Sequence, residues 1–145
     1  MKRILFIVIA ISVLATTAFS QEQPAEQKSS GELAEITFKN VENDFGFLPY
    51  KGDGTCEFVF KNTGKAPLIL TNVKSSCGCT IPTWPRDPIA PGEEQSIKVK
   101  YDTKRQGKFS KTITVYSNAS NSPIALTIKG EVEQPSAEEM EALRI

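Results

Sequence analysis

Two cysteines one residue apart carry most of the chemistry this chain can offer. Cys77 and Cys79 flank Gly78 within the string Ser75-Ser76-Cys77-Gly78-Cys79-Thr80. Thiols at this spacing have three uses. They form a disulfide in an oxidising compartment, bind a soft ion such as Cu(I) as two thiolates, or pack as small apolar side chains. In an extended strand their α-carbons would stand about 6.5–7 Å apart, at the limit of disulfide geometry, so closure needs a bend that Gly78 permits. A ring that small restrains little unfolded-chain entropy and is expected to reduce more readily than a long-range bridge. Against a redox role stands the usual oxidoreductase spacing, C-x-x-C at a helix start, where the helix dipole lowers the thiol pKa. No such helix is predicted here. Cys56 shares its apolar parity with Phe58 and Phe60 and reads as a buried free thiol. A bridge from Cys56 to Cys77 or Cys79 stays open, because sequence does not fix the pairing among three cysteines.

Composition removes other chemistry. The chain of 145 residues has no histidine, which excludes Ser-His-Asp and Cys-His catalysis and histidine metal ligands. Three cysteines are too few for a four-cysteine zinc site. Lys+Arg and Asp+Glu both number 17, so the basic footprint of a nucleic-acid binder is missing. Gly52-Asp53-Gly54 is a turn, not a phosphate loop, since no Gly-Lys-Ser/Thr follows a strand. Asp44, Asp53, Asp87 and Asp102 are scattered and lack calcium-loop spacing. A hydrolase working with carboxylates alone ranks last, because nothing places two acids together. Asn118-Ala119-Ser120 spells a glycosylation sequon and marks a surface turn. Trp84, the only tryptophan, lies between Pro82 and Pro85. It reads either as an exposed contact residue or as a plug for an open end of the fold.

The elements that must position these residues are strands. Ile36 and Phe38 alternate with Thr37 and Lys39, and Cys56, Phe58 and Phe60 with Glu57 and Lys61. Ile97, Val99 and Tyr101 alternate with lysines, Ile113 and Val115 with threonines, and Ile124, Leu126 and Ile128 with Ala125, Thr127 and Lys129. Successive strand side chains point to opposite faces, so such runs are half-buried strands. Turn residues separate them at Gly52-Asp53-Gly54, Asn62-Thr63-Gly64, Pro91-Gly92 and residues 118–123. The spacing predicts an all-β antiparallel sandwich of about seven to eight strands over residues 35–132. Its expected core is Phe38, Phe58, Phe60, Ile97, Val99, Ile113, Val115, Leu126 and Ile128. Leu68 to Val73 is a strand of undecided facing, and Lys111, on the apolar parity, predicts a bulge or a sheet edge. Residues 133–145 form a polar tail. Ser136 to Glu139 matches a capping box and Met140 with Leu143 a weak apolar stripe, but a helix this short is marginal alone.

The first 20 residues give an address. Lys2 and Arg3 precede an apolar run from Ile4 to Ala15, and Ala18-Phe19-Ser20 supplies small residues at the positions a signal peptidase reads. A cleaved signal peptide over residues 1–20, cut between Ser20 and Gln21, is expected. The run is shorter than a membrane span needs, so no span remains after cleavage. Residues 21–34 read as a flexible lead-in. The mature chain is placed in the periplasm or outside the cell.

Phe58-Val59-Phe60-Lys61-Asn62-Thr63-Gly64, Pro67-Leu68-Ile69, Ser76-Cys77-Gly78-Cys79-Thr80 and Pro88-Ile89-Ala90-Pro91-Gly92 together resemble the DUF1573 family. The match continues through Tyr101-Asp102-Thr103, Gly107-Lys108-Phe109 and Ser117-Asn118 to Gly130. The resemblance implies an immunoglobulin-like domain of the Hydin-like (ASH) type and brings no established catalytic residue. Cys77-Gly78-Cys79 matches the family hallmark, whereas Cys56 lies outside it. The expected function is a non-enzymatic binding or structural module with a protein or cell-envelope partner and no resident cofactor. The alternative is a thiol-redox or Cu(I)-handling protein using Cys77 and Cys79.

Overall fold

The computed structural model describes residues 32–142 and 144. The signal segment with its Ser20–Gln21 cleavage site, the lead-in up to residue 31, and Leu143 lie outside the described residues. Eight strands follow in chain order: β1 (Ile36–Phe38), β2 (Glu42–Leu48), β3 (Thr55–Asn62), β4 (Leu70–Ser75), β5 (Thr80–Thr83), β6 (Glu94–Tyr101), β7 (Gly107–Ser117) and β8 (Ile124–Val132). They form two four-stranded sheets, ordered β1-β3-β6-β5 and β2-β8-β7-β4. The apolar faces meet in one core. Phe58, Phe60, Ile97, Val99, Ile113, Val115, Leu126 and Ile128 are buried in it, and Phe38 packs at its margin. Across the layers, Tyr101 of one sheet stacks on Phe109 of the other, ring centroids 3.8 Å apart. No helix among the described residues is long and apolar enough to cross a membrane.

Three details depart from the pattern of alternation. β2 runs parallel to β8, whereas every other pairing is antiparallel. Alternation records which face a residue takes and says nothing about the direction of its partner. In β4 the register against β7 shifts between Leu70 and Asn72. The extra residue lets Leu68, Leu70 and Val73 all be buried while Ile69 stays exposed, which resolves the facing of this strand. At Lys111 the expected bulge is absent, since β7 pairs β8 without a break from Gly107 to Val115. Lys111 lies instead just past the point where β4 has ended, and it is half-buried. An inward-facing lysine is accommodated there because its stem packs while its ammonium reaches water.

The tail forms one short helix, α1 (Ala137–Ala142), opened by a bond from the Met140 N–H to the Ser136 carbonyl at 2.9 Å. Met140 is exposed, whereas Pro135 is buried. Truncation after Ser136 is therefore expected to leave the urea midpoint unchanged, and truncation after Glu133 to lower it. Equal midpoints for the two truncations would show that Pro135 contributes no packing.

Candidate functional site

The Cys77–Cys79 pair sits where the chain leaves one sheet for the other, in the turn between β4 and β5. β4 ends as the Ser76 N–H donates to the Thr112 carbonyl at 2.8 Å, and β5 begins as the Asp102 N–H donates to the Cys79 carbonyl at 2.8 Å. Between these anchors the backbone bends. The Cys77 N–H donates to Ser75 Oγ at 3.3 Å, and the Cys79 N–H reaches Cys77 Sγ at 3.3 Å. The bend brings the two α-carbons to 5.3 Å, and the sulfurs form a disulfide. Cys79 is buried, Cys77 is half-buried and Gly78 is exposed. The buried Thr80 hydroxyl lies 3.9 Å from Cys77 Sγ and 3.8 Å from Cys79 Sγ, so one donor faces both sulfurs.

Cys56 is a free thiol in the middle of the β1-β3-β6-β5 sheet, opposite Val99. Burial, with a smaller contribution from the Glu57 carboxylate, pushes its pKa up to about 11. Because the thiolate is the nucleophile, alkylation of Cys56 in the folded, reduced protein is expected to stay slow through pH 9 and to rise toward pH 11. Cys77, half-buried in the turn outside the ladder, is expected to react first, ahead of the buried Cys79. A mass readout at each cysteine checks the order, and equal rates at pH 8 would refute it. The same shift makes stability fall as pH rises from about 9 to about 11. The unfolded chain releases the Cys56 proton before the folded one does.

A groove of about 650 Å³ opens beside the bridge. Its walls come from Gly78, Cys79 and Ile81 on one side, Lys100 to Lys104 at the end of β6, and Lys51 to Asp53 before β3. Thr103 holds the last two walls together: its hydroxyl donates to the Gly52 carbonyl at 2.7 Å, and its carbonyl accepts from the Lys51 N–H at 3.2 Å. Gly54 is required where this wall turns. A Cβ there would stand 2.8 Å from both the Tyr101 carbonyl and Thr103 Cγ2. The carboxylates of the groove are committed internally. The Thr55 hydroxyl, together with the Thr55 N–H that donates to Asp53 at 3.0 Å, holds the Asp53 carboxyl below its ordinary pKa range, with Lys100 adding to the effect. Asp102 accepts from the Lys104 N–H at 3.1 Å and pairs with Arg105 at 3.7 Å. Lys100 and Lys104 make no ion pair among the described residues. The groove therefore offers ammonium groups, the apolar surface of Ile81 (63% exposed) and a disulfide. Asp53, held below its ordinary range, is not poised to donate a proton at neutral pH.

Trp84 follows β5, half-buried and packed against the core, with the Arg86 guanidinium 3.8 Å above its ring. Its Nε1 is buried and has no hydrogen-bond partner among the described residues. It does not line the groove. The sequence pointed to the cysteines of this corner but not to Lys51, Thr103 or Lys104. The strings Gly52-Asp53-Gly54, which read as a turn, and Tyr101-Asp102-Thr103, part of the family resemblance, were its only trace of the other walls.

These two facing sheets, with an exposed corner between β4 and β5, form an immunoglobulin-like sandwich. The chain belongs to the DUF1573 family, proteins of unknown function, whose model matches residues 36–132. Solved structures agree on the fold. A protein of unknown function from Porphyromonas gingivalis W83 superposes with a TM-score of 0.61 at 18% identity, over 68% of this chain and 46% of that one. The present chain thus spans under half the length of that relative. The ASH/PapD-like domain 7 of human CEP192 gives a TM-score of 0.61 at 7% identity, over 81% of this chain and 98% of the domain. The CsuC–CsuE chaperone complex of Acinetobacter baumannii gives 0.50 at 11% identity, over 74% and 64%. No curated protein matches the chain.

Proposed function

We infer that the chain is an exported, non-enzymatic binding module that engages a protein or cell-envelope partner through the groove beside Cys77–Cys79. The groove itself carries this reading. It combines an exposed apolar residue, Ile81, with lysines that make no ion pair among the described residues and carboxylates that are already committed. Such a surface suits recognition of a partly acidic ligand and lacks a proton-transfer pair. The solved chaperone neighbour, a complex with a tip adhesion subunit, is compatible with a protein partner. A photo-crosslinking side chain placed at Ile81 in the native host should give a discrete adduct that the same group at Met140 does not. Absence of an Ile81-specific adduct would sink the reading. Export rests on the first 20 residues and predicts a mature N-terminus at Gln21, which N-terminal sequencing of the host's protein checks.

A second reading is favoured by the bridge lining that groove. An incoming dithiol would attack the disulfide, pass through a mixed disulfide, and leave Cys77 and Cys79 as thiols and the partner oxidised. The Thr80 hydroxyl is placed to stabilise the thiolate released. Binding of Cu(I) would require that reduced form, because both sulfurs are spent in the bridge. Titration against glutathione redox buffers decides this reading. A bridge that stays oxidised across the reducing range ends it.

A further inference from the structure

We propose that the outer edge of β4 is a docking site for an extended peptide of a partner protein that carries acidic residues at alternate positions. The proposal does not rest on the groove; it comes from comparing the four strand edges of the sandwich.

Three of the edges are blunted. β1 is three residues long, and both outward groups of Ile36 are taken by one side chain. The Ile36 N–H donates to Asn121 Oδ1 at 3.2 Å, and Asn121 Nδ2 donates to the Ile36 carbonyl at 2.8 Å. β2 is broken at Gly46, a positive-φ residue whose N–H turns back onto Asp44 Oδ1 at 2.8 Å. β5 has no outward donor. The bond from the Asp102 N–H to the Cys79 carbonyl makes Thr80 and Tyr101 a pair that exchanges no ladder bonds. The backbone groups of Thr80 and Pro82 therefore point away from β6. The Thr80 N–H is turned to the Cys77 carbonyl at 3.4 Å, and Pro82 has none. Each device is a known way of protecting a sheet edge.

β4 has no such device. Over Leu70–Ser75 it contains neither Pro nor Gly. The bond from the Ser76 N–H to the Thr112 carbonyl fixes Ser75 and Ile113 as a pair without ladder bonds, and Val73 and Val115 are the next such pair. Val73 and Ser75 thus direct N–H and C=O groups away from β7, and these groups have no partner among the described residues. Two donors and two acceptors at a two-residue repeat are what an added strand requires.

Charge selects the occupant. At the opposite edge of the same sheet, Lys129 of β8 is paired by carboxylates of the edge strand β2, with Glu42 at 2.6 Å and Asp44 at 3.8 Å. Lys74 of β4 is exposed and has no carboxylate beside it among the described residues. A strand added to β4 places a side chain next to Lys74, and an acidic one reproduces the pairing seen at the other edge. A second copy of this chain, pairing β4 to β4, would instead bring two Lys74 ammonium groups together, which is unfavourable.

The test is a displayed library of short, unstructured peptides selected on the purified chain. Enriched peptides should carry acidic residues at alternate positions and slow amide exchange at Val73 and Ser75 by about tenfold or more. Ser75→Pro removes one outward N–H without breaking a ladder bond and should weaken binding about tenfold, whereas Ser75→Ala, which removes only the Oγ acceptor of the Cys77 N–H, should not. Lys74→Glu, at an exposed position, should switch the preference toward basic peptides while leaving the fold intact. Peptides that protect another edge or perturb only Lys100 and Tyr101 would overturn the proposal. So would a peptide-free dimer protected along β4, or no enrichment at all.

Discussion

Replacing Phe60 by Ala is expected to cost about 3–5 kcal/mol in urea unfolding, the range for emptying a fully enclosed aromatic position. Phe60 has no exposed surface, and its ring stands 5.4 Å from that of Phe38 in the neighbouring strand. The two sheets enclose it, so the space it leaves cannot be filled by one loop moving. The loss should appear in the midpoint with little change in the denaturant slope, because the unfolded chain is nearly the same. A loss below about 1 kcal/mol would mean that the β3 faces are assigned the wrong way round.

The second large effect is expected at a polar residue. Asn62 ends β3 with no exposed surface. Its amide donates to the Ala66 carbonyl at 2.9 Å and the Ile89 carbonyl at 3.0 Å, and its Oδ1 accepts from the Gly64 N–H at 3.0 Å. One side chain thereby fixes the turn after β3 and ties it to the segment bridged to Leu68, where Leu68 and Ile89 exchange backbone bonds of 2.9 and 2.8 Å. Gly64 completes the turn, because a Cβ there would run into the backbone of Leu33 and Ala34. Asn62→Ala leaves buried backbone groups unpartnered and should cost about 2–4 kcal/mol. Asn62→Asp keeps an acceptor but loses both donations and buries a carboxylate. It should be worse at pH 7 and recover partly as the pH falls toward 4, since burial raises that carboxyl's pKa and protonation restores one donor. An Asn62→Asp variant as stable as the parent at pH 7 would show that the donations to Ala66 and Ile89 contribute nothing.

The central strands were legible in the sequence because β3, β6 and β8 alternate without interruption and β7 does so apart from Lys111, and every one of their expected apolar inward residues is buried except the marginal Cys56 and Ile124. β2 was not legible. Phe45, Phe47 and Leu48 do not alternate cleanly, because the irregularity at Gly46 puts Phe47 in solvent and Leu48 in the core. A bulge changes parity without leaving a mark on composition. Asn62 read as part of a turn, since asparagine is common in turns for local reasons and sequence does not reveal the distant carbonyls it meets. The cysteine pair was visible, but its groove was not. Lys51, Thr103 and Lys104 join it through contacts between segments some fifty positions apart, as the separation of 51 between Thr103 and Gly52 illustrates.

The partnerships that close the sandwich also set the order in which it can be finished. β2, near the start of the domain, has only β8 as a neighbour in its sheet, and Ile36 is held by Asn121 across 85 positions. Any fragment ending before Ile124 leaves β2 without a sheet to join. Topology of this kind, rich in distant pairings, folds slowly compared with local helical contacts. A ribosome-bound or partly translocated chain therefore lacks the last strand it needs and stays pliable until that strand emerges. Under the export proposed above, for a chain threaded during its synthesis the delay is an asset: folding behind the channel waits for β8, the strand that completes the domain on the far side.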